Sequence, residues 1–140
     1  MAQIIIGREY PDLVIEKVKN AKQSIKILMF AWRWYDGEQG TKIQKFNNEI
    51  IRARQRGVDV RVFVNFGFIT QKFRECGINI KQPLSKKMLH CKMIIIDEKM
   101  LFLGSHNLTK NAFEINHEVS TLIDDPAAVE KCSRFFDNLQ

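Results

Sequence analysis

A short run of consecutive apolar residues, Met93–Ile96, constrains the fold of this chain more than any other feature. Successive residues of a strand point to opposite sides, so a strand that is apolar at every position must be covered on both faces. Sheets covered by helices on both faces belong to the α/β layer structures. The run therefore predicts a central strand between two layers of helices.

The spacing of apolar residues elsewhere alternates between the periods of strands and helices. The valines at 58, 60, 62 and 64 alternate as in a strand. The apolar residues from Ile43 to Ala53 instead recur every three or four positions, as in a helix, and Gly57 is a typical helix end. The other predicted strands cover 2–6, 24–31, 78–81, the segment after the 93–96 run, and 117–123. Three further helices are predicted: one that begins at Pro11, one over 69–76 and one over 124–139. The pattern predicts an α/β fold, a mixed β-sheet flanked by helices on both faces, in one domain over residues 1–140.

Composition narrows the class of partner. The net charge is +6, from 22 Lys and Arg against 16 Asp and Glu, and this surplus attracts polyanions such as nucleic acid or anionic lipid. No apolar run reaches the length of a membrane span and no leader peptide is evident, which predicts a cytoplasmic protein without stable membrane association. The three cysteines and three histidines show no ligand spacing, so neither a metal nor another cofactor is expected.

A histidine and a lysine precede the apolar run. His90 and Lys92 are two positions apart and therefore project side by side from a strand, while Cys91 points the other way. An isolated pair of this kind is more often structural, with the histidine closing the strand and the lysine reaching solvent. The alternative is a site for a phosphate diester.

A hairpin turn after the run would add two more polar side chains. If residues 98–99 form a two-residue turn, Ser105 lies opposite Lys92 and Asn107 opposite His90. An ammonium, a hydroxyl and an amide can hold the nonbridging oxygens of a phosphate diester, and an imidazole can attack phosphorus or protonate the leaving oxygen.

These residues together form the pattern H-x-K-x4-D-x6-G-S-x-N. Six such matches at fixed spacing arise by chance in roughly one chain in a million of this length. The pattern resembles the HKD motif of the phospholipase D superfamily, in particular its small single-motif, homodimeric endonucleases. The matching residues are His90, Lys92, Asp97, Gly104, Ser105 and Asn107.

The resemblance implies a mechanism and an assembly. In the family, the motif histidine attacks phosphorus to form a covalent phosphohistidine intermediate, and a second motif histidine acts as general acid. This chain has one motif, so the resemblance implies a homodimer in which each subunit contributes His90 to a shared site. It also assigns phosphate binding to Lys92, Ser105 and Asn107.

Three further residues have expected supporting roles. Asp97 lies at an odd offset from His90, so we expect it to fix the turn or to form a structural ion pair. Gly104 is expected to allow close approach of the backbone to the phosphate. Glu118 is the candidate for orienting the imidazole, because small single-motif family members carry an acidic residue at a comparable place; a solvent-facing glutamate is the alternative.

Two segments are candidates for substrate binding. Lys86 and Lys87 lie in a loop ahead of His90 and could follow a phosphate backbone, although a solvated surface loop is equally compatible. Trp32, Arg33 and Trp34 follow the strand over 24–31 and could stack on unpaired bases, or form core or dimer contacts instead.

The sequence thus predicts a metal-independent phosphodiesterase, and foremost an endonuclease that hydrolyses DNA or RNA. One alternative is a lipid phosphodiesterase or phosphatidyltransferase of the same superfamily. A second is a nucleic-acid-binding module that keeps the fold without turnover.

Overall fold

The computed structural model describes all 140 residues, which form seven strands and five helices. In chain order these are β1 (Ala2–Ile6), α1 (Glu9–Lys19), β2 (Ser24–Trp32), α2 (Lys42–Gln55), β3 (Asp59–Gly67), α3 (Thr70–Glu75), β4 (Asn79–Lys81), β5 (Met93–Ile96), β6 (Met100–Gly104), α4 (Lys110–Glu114), β7 (Val119–Ile123) and α5 (Pro126–Asp137). None of the helices is long and apolar enough to cross a membrane.

All seven strands belong to one sheet, in the order β1-β7-β6-β5-β2-β3-β4. β2, β3 and β4 run parallel, and all other neighbouring strands are antiparallel. β5 occupies the middle of the order, and each of its four residues is buried. The predicted mixed sheet, with a central strand covered on both faces, is confirmed.

Helices cover both faces of the sheet. α1 to α4 contribute to the larger hydrophobic cluster on one face, into which Ile25, Ile27 and Met29 of β2 point. The smaller cluster on the opposite face joins Leu28 of the same strand to Val129 of α5. Strand alternation thus divides β2 between two layers of the core, as an α/β fold requires.

Helix boundaries follow local capping. α2 begins after Thr41, whose hydroxyl accepts a hydrogen bond from the backbone N–H of Gln44, and α5 begins after Asp125, whose carboxylate has the same role. α1 begins at Glu9, two residues ahead of the predicted start at Pro11, because a proline is tolerated in the first turn. The sequence analysis missed α4, which has only five residues.

The β5–β6 hairpin differs from the prediction. Three residues, Asp97, Glu98 and Lys99, join the strands, so Ile96 pairs with Met100. The predicted two-residue turn is therefore wrong, and every cross-strand pair shifts by one position. Ser105 and Asn107, which follow β6, therefore do not lie directly opposite Lys92 and His90 as predicted.

The side chain of Asp97 explains this longer turn. Its carboxylate accepts hydrogen bonds of 2.7 to 3.1 Å from the backbone N–H groups of Lys22, Gln23 and Ser24. Asp97 and Glu98 both have left-handed backbones, with φ of 55° and 53°. Burial alone would raise the pKa of Asp97, but the three N–H groups together lower it.

Replacing Asp97 with Ala should reduce the free energy of unfolding by about 2 kcal/mol, because three amides lose a charged acceptor. Since the pKa of Asp97 is lower in the folded chain, its contribution is complete above roughly pH 4 and disappears as pH falls through the folded-state pKa. Denaturant unfolding at pH 7 and pH 3 measures both effects. Asp124→Ala, at an exposed carboxylate, should change stability little; equal losses in the two variants would contradict this role for Asp97.

Candidate active site

The motif residues lie along one edge of the sheet. β2, β3 and β6 end at this edge, and β5 and β7 begin there. His90 and Lys92 come shortly before β5, while Ser105 and Asn107 come shortly after β6. Segments that are distant in sequence therefore meet at the same place.

His90 and Lys92 are side by side, as their spacing predicts. Lys92 Nζ lies 3.2 Å from His90 Nδ1. Both side chains rest on Phe30 near the end of β2: the imidazole centroid is 4.8 Å from the phenyl centroid, and Lys92 Nζ is 5.3 Å from it. His90 is exposed and Lys92 is half-buried. Phe30 therefore supports the pair on one side, and the solvent-facing side is open to a substrate.

The contact with Lys92 bears on which nitrogen of His90 carries the proton. An ammonium group has three donors and no acceptor, so a neutral His90 that makes this hydrogen bond accepts it at Nδ1 and holds its proton on Nε2. In that tautomer Nε2 cannot attack phosphorus. A nucleophilic His90 requires Lys92 to turn to the phosphate and an acceptor to reach Nδ1.

Asn107 is held against the end of β2. Its Oδ1 accepts a hydrogen bond of 3.1 Å from the backbone N–H of Ala31. Backbone hydrogen bonds between Leu108 and both Ala31 and Arg33 fix the segment beside the strand. This bond fixes the orientation of the amide, whose Nδ2 group is the donor that Asn107 can offer to a phosphate oxygen.

Ser105 and Glu118 form a second polar group at this edge. Ser105 Oγ donates to Glu118 Oε1 and accepts a hydrogen bond of 3.0 Å from the backbone N–H of Val119. Asn116 Nδ2 donates to Glu118 Oε2 at 3.1 Å. Within one chain, Glu118 is thus bound to Ser105 and makes no hydrogen bond to His90.

Gly104 has a different role from the one predicted. A Cβ atom at this position would overlap Oγ and Cα of Ser120 and lie 2.6 Å from its Cβ, so the glycine allows β6 and β7 to approach each other rather than a phosphate to approach the backbone. Ser120 Oγ also lies 2.7 Å from Nδ1 of His106. His106 is buried, stacks on Tyr10 with 4.1 Å between ring centroids, and has a pKa lowered by burial, so it supports the core.

The two tryptophans of the candidate substrate segment are placed differently. Trp32 is completely buried, and its Nε1 donates to Asn47 Oδ1 at 2.7 Å, so of its two predicted roles it has the core contact and not the stacking on a substrate. Trp34 is half-buried, with Lys72 Nζ 5.0 Å from its ring centroid. In a regular strand, Met29 and Trp32 would point to opposite faces of the sheet, but both side chains belong to the same hydrophobic cluster.

Phenylalanines that the sequence analysis did not single out lie at this edge. Phe66 near the end of β3 makes an edge-to-face contact with Phe30 at 5.1 Å. Phe68 packs against Arg33, with the guanidinium carbon 4.8 Å from its ring centroid. The signal that could have found them is two phenylalanines around Gly67 at the end of a predicted strand.

Lys86 and Lys87 are exposed in the loop between β4 and β5. The loop is anchored close to the site, since Leu89 is buried and its backbone N–H donates to Asn65 Oδ1 at 3.1 Å. Both lysines are exposed in the same loop as His90, and Lys87 lies beside Cys91 and Phe135. No group of three or more His, Cys, Asp or Glu side chains is arranged to hold a metal ion.

The fold and the motif agree with a comparison of families. The family described as cardiolipin synthase, PLD-like domain, matches residues 14–140. The chain belongs to the phospholipase D-like family. A related mitochondrial cardiolipin hydrolase from Chlamydomonas reinhardtii is 31% identical over 96 residues, which are 64% of this chain and 43% of that protein. The chain spans about half the length of the first curated relatives that it matches.

Two solved structures share the phospholipase D-like fold over nearly the whole chain. NucT from Helicobacter pylori has a TM-score of 0.80 at 22% identity, with 99% of this chain and 94% of that chain covered. Nuc from Salmonella typhimurium, a phospholipase D family member, has a TM-score of 0.81 at 22% identity, with 99% and 93% covered. The predicted fold is confirmed, and the superfamily acts on phosphodiester bonds.

Proposed function

We propose that this chain is a metal-independent endonuclease of the cytoplasm that hydrolyses DNA or RNA through a phosphohistidine intermediate at a site shared by two subunits. The observation that carries the proposal is the pair of His90 and Lys92, fixed on Phe30 at an open edge of the sheet, with one such pair per chain.

The chemistry requires two imidazoles in different protonation states. Nε2 of one His90 attacks phosphorus, so that a P–N bond forms and a P–O bond breaks. The protonated His90 of the partner subunit gives its proton to the leaving oxygen. That imidazole then takes a proton from water, whose oxygen displaces the first histidine from phosphorus. Lys92 and Asn107 stabilise the negative charge that develops on the nonbridging oxygens, and Ser105 joins them when its hydroxyl proton turns from Glu118 to the phosphate.

A single chain does not provide the acceptor that the attacking histidine needs. Glu118 makes no hydrogen bond to His90 of its own chain, and Nδ1 of His90 faces Lys92, although each carboxylate oxygen of Glu118 can still accept a further bond beside those from Ser105 and Asn116. A carboxylate from a second copy could supply the missing acceptor, and Glu118 of the partner subunit is our candidate. This arrangement assigns both the second imidazole and its orienting carboxylate to the homodimer.

Exposed apolar side chains beside the site support a subunit contact there. β1, β6 and β7 carry them on the same face of the sheet as α5, beyond the area that α5 covers: Ile4, Ile6, Leu103 and Val119. Leu103 precedes Gly104, and Val119 follows Glu118, so this apolar surface borders the polar groups of the site. A self-complementary contact of this surface about a two-fold axis would join two half-sites.

Nucleic acid is the substrate that the charge favours, since a net charge of +6 and the exposed Lys86 and Lys87 attract a phosphate backbone. Relatives whose names refer to cardiolipin or phospholipid favour a second candidate, a lipid phosphodiesterase.

Cleavage assays in excess chelator distinguish the candidates. Single- and double-stranded DNA and RNA, and liposomes containing cardiolipin, are incubated with the protein and with His90→Ala. We expect chelator-resistant cleavage of nucleic acid that disappears in the variant. Cleavage of liposomes alone would favour the lipid phosphodiesterase, and metal-dependent cleavage that survives the substitution would contradict the mechanism.

A further inference from the structure

Two large aromatic side chains are exposed at the same edge of the sheet as the candidate catalytic histidine. Phe66 is 46% and Phe68 is 65% exposed, although both lie within three residues of buried segments of the fold. A single exposed phenylalanine needs no explanation. Two of them on either side of Gly67, in contact with Phe30 and Arg33, indicate a surface that binds a ligand.

The backbone around these rings keeps them at the surface. Gly67 pairs with Trp32 in the sheet, and Ile69 is completely buried at the start of α3. Phe68 lies between these two fixed positions and cannot turn inward without disrupting one of them. The exposure of Phe68 is thus a property of the fold.

The inner ring, that of Phe66, is linked to the reaction centre by direct contacts. Phe66 packs edge-to-face on Phe30, and Phe30 carries both His90 and Lys92. A ligand group that stacks on Phe66 would therefore lie close to a phosphate bound by Lys92.

A cation accompanies the outer ring. The guanidinium of Arg33 lies 4.8 Å from the centroid of Phe68, and Arg33 itself is exposed. A ring that offers a stacking surface beside an unneutralised guanidinium matches a nucleotide whose base is unpaired and whose phosphate needs a counter-charge. A base pair inside a duplex hides both faces of its bases and cannot use such rings.

We infer that Phe66, Phe68 and Arg33 form a subsite for unpaired nucleotides beside the scissile phosphate, so that the enzyme prefers single-stranded nucleic acid to duplexes. The inference rests on the proposed nuclease function and specifies its substrate. The rings stack on bases, Arg33 neutralises a phosphate, and the nucleic-acid strand continues towards His90.

The test compares Phe66→Ala/Phe68→Ala with the matched variant Phe135→Ala, which removes a half-exposed phenylalanine from α5. Cleavage is measured on a single-stranded oligonucleotide, on its duplex, and on bis(p-nitrophenyl) phosphate, a diester without bases. The double variant should lose about 10- to 100-fold in kcat/KM on the single strand relative to its activity on the other two substrates, a ratio that cancels any effect of Phe66 on Phe30 and the catalytic pair. Phe135→Ala should behave as the unaltered protein. Arg33→Ala should reduce the salt dependence of single-strand binding by about one phosphate contact.

Other outcomes separate this inference from the proposed function. Unchanged single-strand cleavage in the double variant would overturn the subsite and leave the nuclease intact. Dissociation of the dimer by the same substitutions, detected by sedimentation, would assign the rings to a subunit contact and also overturn it. Hydrolysis of the small diester with no cleavage or binding of any oligonucleotide would reject the nuclease function itself.

Discussion

Mixing the unaltered protein with His90→Ala will inhibit cleavage more strongly than dilution does. By itself the variant should lose about a thousandfold or more in kcat/KM, since His90 is proposed as both nucleophile and acid. If both imidazoles of a site come from different subunits, a mixed dimer is inactive. An equimolar mixture that has exchanged subunits should therefore retain about one quarter of the activity of the same total amount of unaltered protein.

Glu130→Ala, at an exposed position of α5, serves as the matched partner in this experiment and should leave the activity of the mixture unchanged. Subunits carrying different affinity tags show that exchange has occurred. A loss to about one half instead of one quarter, or full turnover by a chain that sediments as a monomer, would mean that each chain holds a complete site.

Gly104→Ala should destabilise the fold by about 3 kcal/mol, because the new methyl group would overlap the backbone of Ser120 on the neighbouring strand. A flexible side chain could move aside, but a Cα atom within a hydrogen-bonded ladder cannot. Thermal and denaturant unfolding measure the loss. Cleavage should fall as well, since Ser105 follows directly.

Gly40→Ala is the matched control, since a Cβ at that position meets no atom within 4 Å and the backbone there is not left-handed. Its stability should stay within about 0.5 kcal/mol of the unaltered protein. If the two variants unfold at the same denaturant concentration, β6 and β7 do not approach each other closely at Gly104.

The parts of the fold that depend on local pattern could be predicted from the sequence. The run Met93–Ile96 identified the central strand, the alternating valines identified β3, and the spacing from Ile43 to Gly57 identified α2. The side-by-side placement of His90 and Lys92 also follows from strand geometry alone. These features need no knowledge of distant contacts.

The parts that depend on distant partners could not be predicted. The three-residue turn exists because Asp97 binds amides more than seventy positions earlier in the chain. Trp32 is buried because Asn47 accepts its indole N–H. The position of Glu118 on Ser105 likewise depends on where β7 pairs with β6. Neither propensity nor periodicity carries this information.

The anchoring of Asp97 to the start of β2 has a consequence at the opposite end of that strand. The same pairing of β5 with β2 that begins at this anchor also decides which residues meet Phe30. A shift of β5 by one step would present the thiol of Cys91 where an imidazole or an ammonium now stands. Asp97 does not contact the substrate, but by fixing the register of β5 on β2 it determines which side chains stand at the reaction centre.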